Sequence, residues 1–185
     1  MIILGIDPGL TRLGYGFVEK LESRNVSLVE VGVLTSDAKL PVEVRIGKLA
    51  AELEELIATR KPQAIAIERL FAQSNLRSVM GVAQISGVVL LLAHRHRIPI
   101  TFYTPTQVKL AVTGSGRADK AQVGFMVAKI LKLKEIPKPA DAADSLAIAI
   151  CHAWNEVATV GAGVQATEAQ KKWLAALAKA KQSKG

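Results

Sequence analysis

Two acidic residues each follow a short apolar run of the kind that forms a buried strand. Asp7 ends the run Ile2–Ile6, and Glu68 ends the run Ala64–Ile67. Open α/β folds bind their ligands at the carboxyl ends of such strands. Taken alone, Asp7 could equally cap the turn formed by Pro8 and Gly9. The second copy of the arrangement at Glu68 favours a functional site built from both acids.

Two further carboxylates, Asp141 and Asp144, are three residues apart, which makes them neighbours on the helix predicted from Pro139 to about Glu156. We expect both in its first turn, where the helix dipole would by itself account for a single acid. Two adjacent carboxylates repel each other unless a cation or proton separates them.

With Asp7 and Glu68 they make a set of four acids that contains no histidine or thiolate. Hard oxygen ligands of this kind select Mg²⁺ or Mn²⁺ over zinc. Two such ions about 4 Å apart are a common apparatus for in-line displacement at a phosphodiester. In this hypothesis the acids hold the metals, which activate a water and stabilise the leaving oxygen.

The elements that must position these acids follow from hydrophobic patterning. Three apolar segments joined by short links predict an antiparallel meander: Ile2–Ile6, Leu13–Val18 and Val26–Leu34. A helix that begins at Pro41 then separates the meander from the strand ending at Glu68. Such a crossover makes that strand parallel to the first, so Asp7 and Glu68 should lie at the same end of neighbouring strands.

The second half of the chain continues with further helices and one more strand. A helix from Asn75 to about His94 is apolar nearly all round, which is explained by core burial or by a contact between two copies in a homodimer. Further predicted elements are a strand over Ile98–Tyr103, a brief helix over Thr106–Val112, and a helix to about Leu131 whose capping box is Asp119 with Gln122.

Length and composition indicate one folded domain with a basic tail. The 185 residues carry a formal net charge of +8 and a pI of about 9.7, which makes a polyanionic partner plausible. We expect a domain over residues 1–157, followed by a basic tail over residues 158–185 that is helical or a mobile arm. The tail holds five lysines and one glutamate.

Nothing in the sequence predicts secretion or membrane insertion. A single cysteine, Cys151, excludes an internal disulfide, suits a reducing compartment and is expected to be an inert core thiol. No signal peptide pattern precedes the first strand, and the longest apolar stretch, Val79–Ala93, is too short to span a bilayer. We therefore expect a soluble cytoplasmic protein with no membrane partner.

Four segments together resemble the RuvC family of Holliday-junction resolvases. They occur in order over roughly residues 1–157 and read GIDPGLTRLGYG, AIERLFAQSN, QVKLAVTGSGRADKAQV and DAADSLAIAICH. The resemblance implies a ribonuclease H-like α/β fold, with a five-stranded mixed sheet (three strands antiparallel, two parallel) flanked by helices. By the motifs, the family's four catalytic and metal-binding acids fall on Asp7, Glu68, Asp141 and Asp144.

The resemblance also implies what such an enzyme would do. A homodimer would nick two strands of like polarity across a four-way DNA junction, with two Mg²⁺ ions in each active site and Mn²⁺ as an alternative. The products would carry a 5′-phosphate and a 3′-hydroxyl. The implied setting is homologous recombination and DNA repair, in cooperation with the RuvA and RuvB branch-migration proteins.

Further residues match DNA-binding positions of the family. Phe71 matches an aromatic that stacks on a base near the opened crossover, although it could instead be a core residue under the following helix. Lys109 and Lys120 match two lysines near the scissile phosphate. Three arginines in the same loops could contact backbone phosphates or simply be solvated: Arg69, Arg77 and Arg117.

Three other functional classes compete with a resolvase. A non-catalytic junction-binding protein would keep the basic surface but lose at least one of the four acids, and all four are present. A sugar-kinase-like or actin-like ATPase also begins with a strand, an Asp and a glycine-rich hairpin, but it needs a second phosphate-binding hairpin and a longer chain. A related enzyme acting on RNA or hybrid duplex would be separated by its substrate preference.

Overall fold

The computed structural model describes residues 1–69 and 76–155. Within them, one sheet of five strands has the order β3-β2-β1-β4-β5. The strands are β1 Ile2–Asp7, β2 Arg12–Lys20, β3 Val26–Thr35, β4 Ala64–Glu68 and β5 Ile100–Tyr103. The first three pair antiparallel, whereas β4 pairs parallel to β1 and β5 parallel to β4. The predicted mixed sheet is therefore confirmed.

Five helices in the same part of the chain cover the two faces of the sheet. They are α1 Val42–Arg60, α2 Leu76–Arg95, α3 Pro105–Thr113, α4 Lys120–Ile130 and α5 Ala140–Asn155. Buried residues of α1 and α2 pack with one face of the sheet, and those of α3, α4 and α5 with the other. The layered arrangement is the ribonuclease H-like fold expected from the sequence.

The alternation of side chains along β1 and β4 decides which residues meet which helices. Leu4 and Ile6 are buried with the α1 and α2 layer, whereas Ile3 is buried with the α5 layer. In β4, Ile65 and Ile67 likewise face α1 and α2. Because strand side chains alternate with a period of two, the residue that ends each strand faces α5.

Element boundaries differ from the sequence-based prediction by one or two residues at several places. Strand β5 begins at Ile100, although the carbonyl of Pro99 already accepts a bond from the Ile65 amide at 2.9 Å. Helix α3 begins at Pro105, because Thr104 and Gln107 form a capping box that the sequence reading overlooked. The predicted box of Asp119 with Gln122 at the start of α4 is present.

Residues Met1–Trp154 form one compact unit. The proposed boundary after residue 157 and the basic tail lie outside the described residues. Cys151 is fully buried, in agreement with the expected core thiol. In the part of the chain that the structure describes, no helix combines the length and apolarity needed to cross a membrane.

Candidate active site

Two of the four acids are brought together by the pairing of β1 with β4. The parallel register sets Ile6 opposite Ile67, so Asp7 and Glu68 are the next residues on adjacent strands. Both strands end there, and both acids are on the face that α5 covers. The site therefore lies at the carboxyl edge of the sheet, where the sequence placed it.

Glycines allow α5 to approach this edge closely enough to add its own acids. A Cβ on Gly5 of β1 would lie 2.1 Å from the carbonyl oxygen of Ser145, and one on Gly14 of β2 would lie 2.3 Å from that of Asp141. Gly14 is the antiparallel partner of Asp7. Because glycine has no Cβ, the backbone of Asp141 can pack against β2 at Gly14, the position beside Asp7.

The proximity of the acids raises the pKa of two of them, Asp7 and Glu68. Burial, followed by the negative charges of Glu68, Asp144 and Asp141, raises the pKa of Asp7 from 3.8 to about 7, against a lowering by Lys120. The pKa of Glu68 is also raised, first by burial and then by Asp144. A cluster whose members disfavour one another's charge is stabilised by bound cations.

A cleft of about 290 Å³ opens onto three of the acids and two lysines. Its lining includes Asp7, Glu68 and Asp144 together with Lys109 and Lys120. The ammonium of Lys120 donates to Oδ2 of Asp144 at 3.0 Å, and this contact raises the pKa of Lys120. The structure therefore places both predicted lysines beside the acids.

The fourth acid has a different partner. Asp141 Oδ2 accepts a bond from Nε of Arg12 at 2.5 Å, and Asp141 is not among the residues that line the cleft. Only Asp141 belongs to the first turn of α5; Asp144 is the fifth residue of the helix, so the prediction that both lie in that turn was wrong for Asp144. Helix-dipole stabilisation, which fades beyond the first turn, therefore explains Asp144 less well than its cation partner does.

The carboxylate oxygens of the four acids are donors that suit divalent cations. Their side chains are nevertheless not close enough together in the structure to coordinate one ion. Within residues 1–69 and 76–155, no three His, Cys, Asp or Glu side chains are grouped so that they could hold a metal ion together. Asp141 and Asp144 are each drawn to a basic side chain, at 2.5 Å and 3.0 Å respectively. In the structure these basic side chains therefore supply the counter-charge of the two acids.

The other predicted DNA-binding residues are only partly covered by the structure. Arg69 and Arg117 are exposed, and Arg69 directly follows Glu68. Phe71 and the side chain of Arg77 lie outside the described residues, so their predicted roles remain predictions.

Sequence reasoning missed Arg12 and a buried contact behind the site. Arg12 begins β2 and gave no signal beyond its charge. Tyr103, opposite Glu68 in the β4–β5 register, shares a 3.0 Å hydrogen bond between its hydroxyl and Nδ1 of His152 on α5. His152 is itself buried, with 4% of its surface exposed.

The close approach at Gly14 has a measurable consequence. Gly14→Ala is expected to destabilise the protein by about 1–3 kcal/mol, because its Cβ would overlap the backbone of Asp141, and to reduce activity at the site. Gly47→Ala in α1 is the matched control, since a Cβ there meets nothing within 4 Å. It should stabilise the protein by about 0.5–1 kcal/mol. Urea unfolding measures the free energy of unfolding of both variants. Equal changes in the two variants would contradict the predicted overlap at Gly14.

Comparisons with known proteins agree on one family. Residues 3–152 match the family model described as crossover junction endodeoxyribonuclease RuvC. A protein of that name from Renibacterium salmoninarum is 48% identical over 185 residues, which cover 99% of this chain and 95% of the relative.

Solved structures lead to the same family. The RuvC structure from Thermus thermophilus has a TM-score of 0.80 and 36% identity, covering 85% of this chain and 96% of that one. The same protein in complex with a Holliday junction substrate also gives a TM-score of 0.80 at 36% identity, covering 84% and 94%.

Proposed function

The chain belongs to the RuvC family of crossover junction endodeoxyribonucleases, and on that premise we propose that it resolves four-way DNA junctions by paired symmetric nicks. The observation that carries the proposal is the cluster of acids at the carboxyl edge of the sheet, with lysines in the same cleft. Homologous recombination and DNA repair are the processes that need such an activity.

We propose Asp7, Glu68, Asp141 and Asp144 as the catalytic and metal-binding residues. Their all-oxygen donor set and mutual repulsion suit two Mg²⁺ ions per site, with Mn²⁺ as an alternative. When bound, such ions supply an activated water and a stabilised leaving oxygen for in-line hydrolysis, which gives a 5′-phosphate and a 3′-hydroxyl.

The basic residues around the acids would hold the DNA. Lys109 and Lys120 line the cleft, where their charge would attract the scissile phosphate and offset charge that develops on its oxygens. Arg69, directly after Glu68, and Arg117, between α3 and α4, are exposed and would contact backbone phosphates. Phe71 keeps the base-stacking role that the family resemblance implies, and Arg77, a few residues further along the chain, would contact a backbone phosphate.

A homodimer is supported by the exposed side of α2. One side of this helix is buried through Ile85, Val89 and Leu92. The other side carries exposed residues at helical spacing, here called the α2 stripe: Met80, Ala83, Gly87, Leu90 and Leu91. Met80 is 62% exposed and Leu91 56%, which is unfavourable for isolated apolar side chains and favours cover by a second copy. Such a dimer would present two equivalent sites to a nearly two-fold junction.

Ala83→Arg should therefore shift the protein from dimer to monomer, because it places a charge in the middle of the α2 stripe. Ala58→Arg on α1 is the matched control, since Ala58 is equally exposed on a helix of the same face. Light scattering after size-exclusion chromatography measures the mass of each. A dimeric Ala83→Arg variant, or loss of the dimer in both variants, would exclude this interface.

We also propose cooperation with RuvA and RuvB, because branch migration must deliver the crossover to the cleavage site. A cytoplasmic location belongs to the same proposal. The basic composition of the chain, with a net charge of +8, is consistent with work on nucleic acid.

The proposed function is tested with one mobile four-way junction and a linear duplex of the same arm sequence. Symmetric nicks, with ends that a ligase can seal, are expected on the junction with Mg²⁺. Neither substrate should be cut with Ca²⁺ or with a chelator. Equal cleavage of the linear duplex, cleavage of a hybrid duplex in preference to the junction, or cleavage in chelator would overturn the proposal.

A further inference from the structure

We propose that Arg12 is a displaceable counter-charge that couples metal binding to junction binding, an inference that rests on the proposed function of the four acids. In the structure Arg12 donates to Asp141. When a divalent cation binds Asp141, Arg12 is released to a DNA phosphate. Metal and junction would then favour each other's binding.

The geometry of the ion pair supports the first half of this exchange. Nε of Arg12 donates to Oδ2 of Asp141 at 2.5 Å. The Arg12 side chain is 48% exposed and that of Asp141 28%, so the pair is at the edge of the site and open to solvent. Ion pairs of this exposure are weak compared with a metal–carboxylate contact, because water screens them. Asp141 can therefore exchange Arg12 for a divalent ion at small cost.

The position of Arg12 supports the second half. Arg12 begins β2, directly after the turn that follows Asp7, and Asp141 is at the start of α5. A guanidinium at this edge, freed from its carboxylate, would face the phosphates of any strand drawn to the acids, and it binds phosphate oxygens as readily as carboxylate oxygens. Lys120, which lines the cleft, is paired with Asp144 at 3.0 Å in an analogous arrangement.

Coupling of this kind is reciprocal. If a metal frees one basic side chain for DNA, then DNA that engages that side chain must raise metal affinity by the same factor. The enzyme would load its metals most fully when a junction is in place. The feature responsible is the pairing of Arg12 with Asp141.

The chain offers a matched control for removing this ion pair. Arg60 donates through Nε to Glu30 Oε2 at the same 2.5 Å, with side-chain exposures of 43% and 25%, and Glu30 is not one of the four acids of the proposed site. Arg60→Gln therefore removes one charge and one ion pair of equal length at a different place in the fold, between the end of α1 and β3. Arg12→Gln removes the pair at issue.

The first measurement is Mn²⁺ binding to the full-length protein without DNA, by isothermal titration calorimetry at fixed ionic strength. Arg12→Gln should bind Mn²⁺ about two- to fivefold more tightly than the unmodified protein, the range expected for a partly exposed ion pair. Arg60→Gln should bind as the unmodified protein does. Unchanged or weaker Mn²⁺ binding by Arg12→Gln would overturn the inference.

The second measurement is the salt dependence of junction affinity, in chelator and in Ca²⁺, by fluorescence anisotropy. In Ca²⁺, Arg12→Gln should reduce the slope of log K against log salt by about one for each phosphate that the arginine neutralised; in chelator the slopes should agree. A slope changed equally in both conditions, or in neither, would show that Arg12 is not released from Asp141.

Failure of the proposed metal site is distinguished from failure of the Arg12 exchange by the Mn²⁺ titration. If the unmodified protein binds no more Mn²⁺ than Asp7→Asn does, the proposed metal site itself fails.

Discussion

Asp7→Asn is expected to reduce Mg²⁺-dependent junction cleavage on the order of a thousandfold, while junction binding in chelator stays unchanged or becomes tighter. Asp7 interacts electrostatically with all three other acids, and its substitution by Asn removes the carboxylate of a proposed metal ligand without changing the size of the side chain. Metal stabilisation of the transition state is worth several kcal/mol, and each 1.36 kcal/mol is about tenfold in rate. Junction binding should persist, because in the proposed function the phosphate contacts come from basic residues and not from Asp7.

The comparison is made by single-turnover cleavage and by anisotropy on the same junction. Asp37→Asn is the control, since Asp37 is exposed in a turn, where its Oδ1 accepts a bond from the Lys39 amide, and it is not one of the four acids. It should cleave at the unmodified rate. Cleavage by Asp7→Asn within about tenfold of that rate would remove Asp7 from the metal site.

The same substitution should stabilise the metal-free protein at neutral and alkaline pH. Folding raises the pKa of Asp7 from 3.8 to about 7, so ionised Asp7 costs the folded state free energy that Asn does not. At 1.36 kcal/mol per pKa unit, the stabilisation by Asn approaches about 4 kcal/mol as an upper limit. A group needed for activity would then be a source of instability when no cation is bound.

The sign of the pH dependence identifies the cause. Between pH 4 and 7 the folded protein holds the Asp7 proton that the unfolded chain has lost, so stability of the unmodified protein falls as pH rises through this range. The advantage of Asp7→Asn should be absent below about pH 4, grow up to about pH 7 and stay constant above it. Urea unfolding in chelator across this range measures it. An advantage independent of pH, or a variant less stable at pH 8, would contradict the raised pKa.

Much of the fold was predictable because the strands are short, apolar and sharply ended. The run before Asp7 and the run before Glu68 gave the two central strands, and the intervening helix fixed their parallel pairing. Asp119 with Gln122 was recognisable as a helix start, because the side chain and backbone requirements of a capping box are local. The corresponding box of Thr104 with Gln107 was detectable by the same spacing and was overlooked.

Other features depend on tertiary contacts that sequence spacing does not encode. The approach of α5 to Gly14 sets where Asp141 lies, and no local pattern indicates which helix a strand glycine will meet. The pairing of Asp141 with Arg12 joins residues 129 positions apart, so it emerged only from the folded arrangement. The α2 helix was expected to be buried or shared between copies; in fact one side is buried and the α2 stripe is exposed.

Anomalous scattering from Mn²⁺, in crystals of the protein with a four-way junction that carries non-cleavable linkages, tests most directly whether the four acids form one metal centre. We expect Mn²⁺ peaks within about 2.1 Å of carboxylate oxygens from Asp7 together with acids of β4 and α5. Mn²⁺ bound elsewhere on the protein, with the carboxylates of Asp7, Glu68, Asp141 and Asp144 free of metal in the junction complex, would contradict the proposed mechanism.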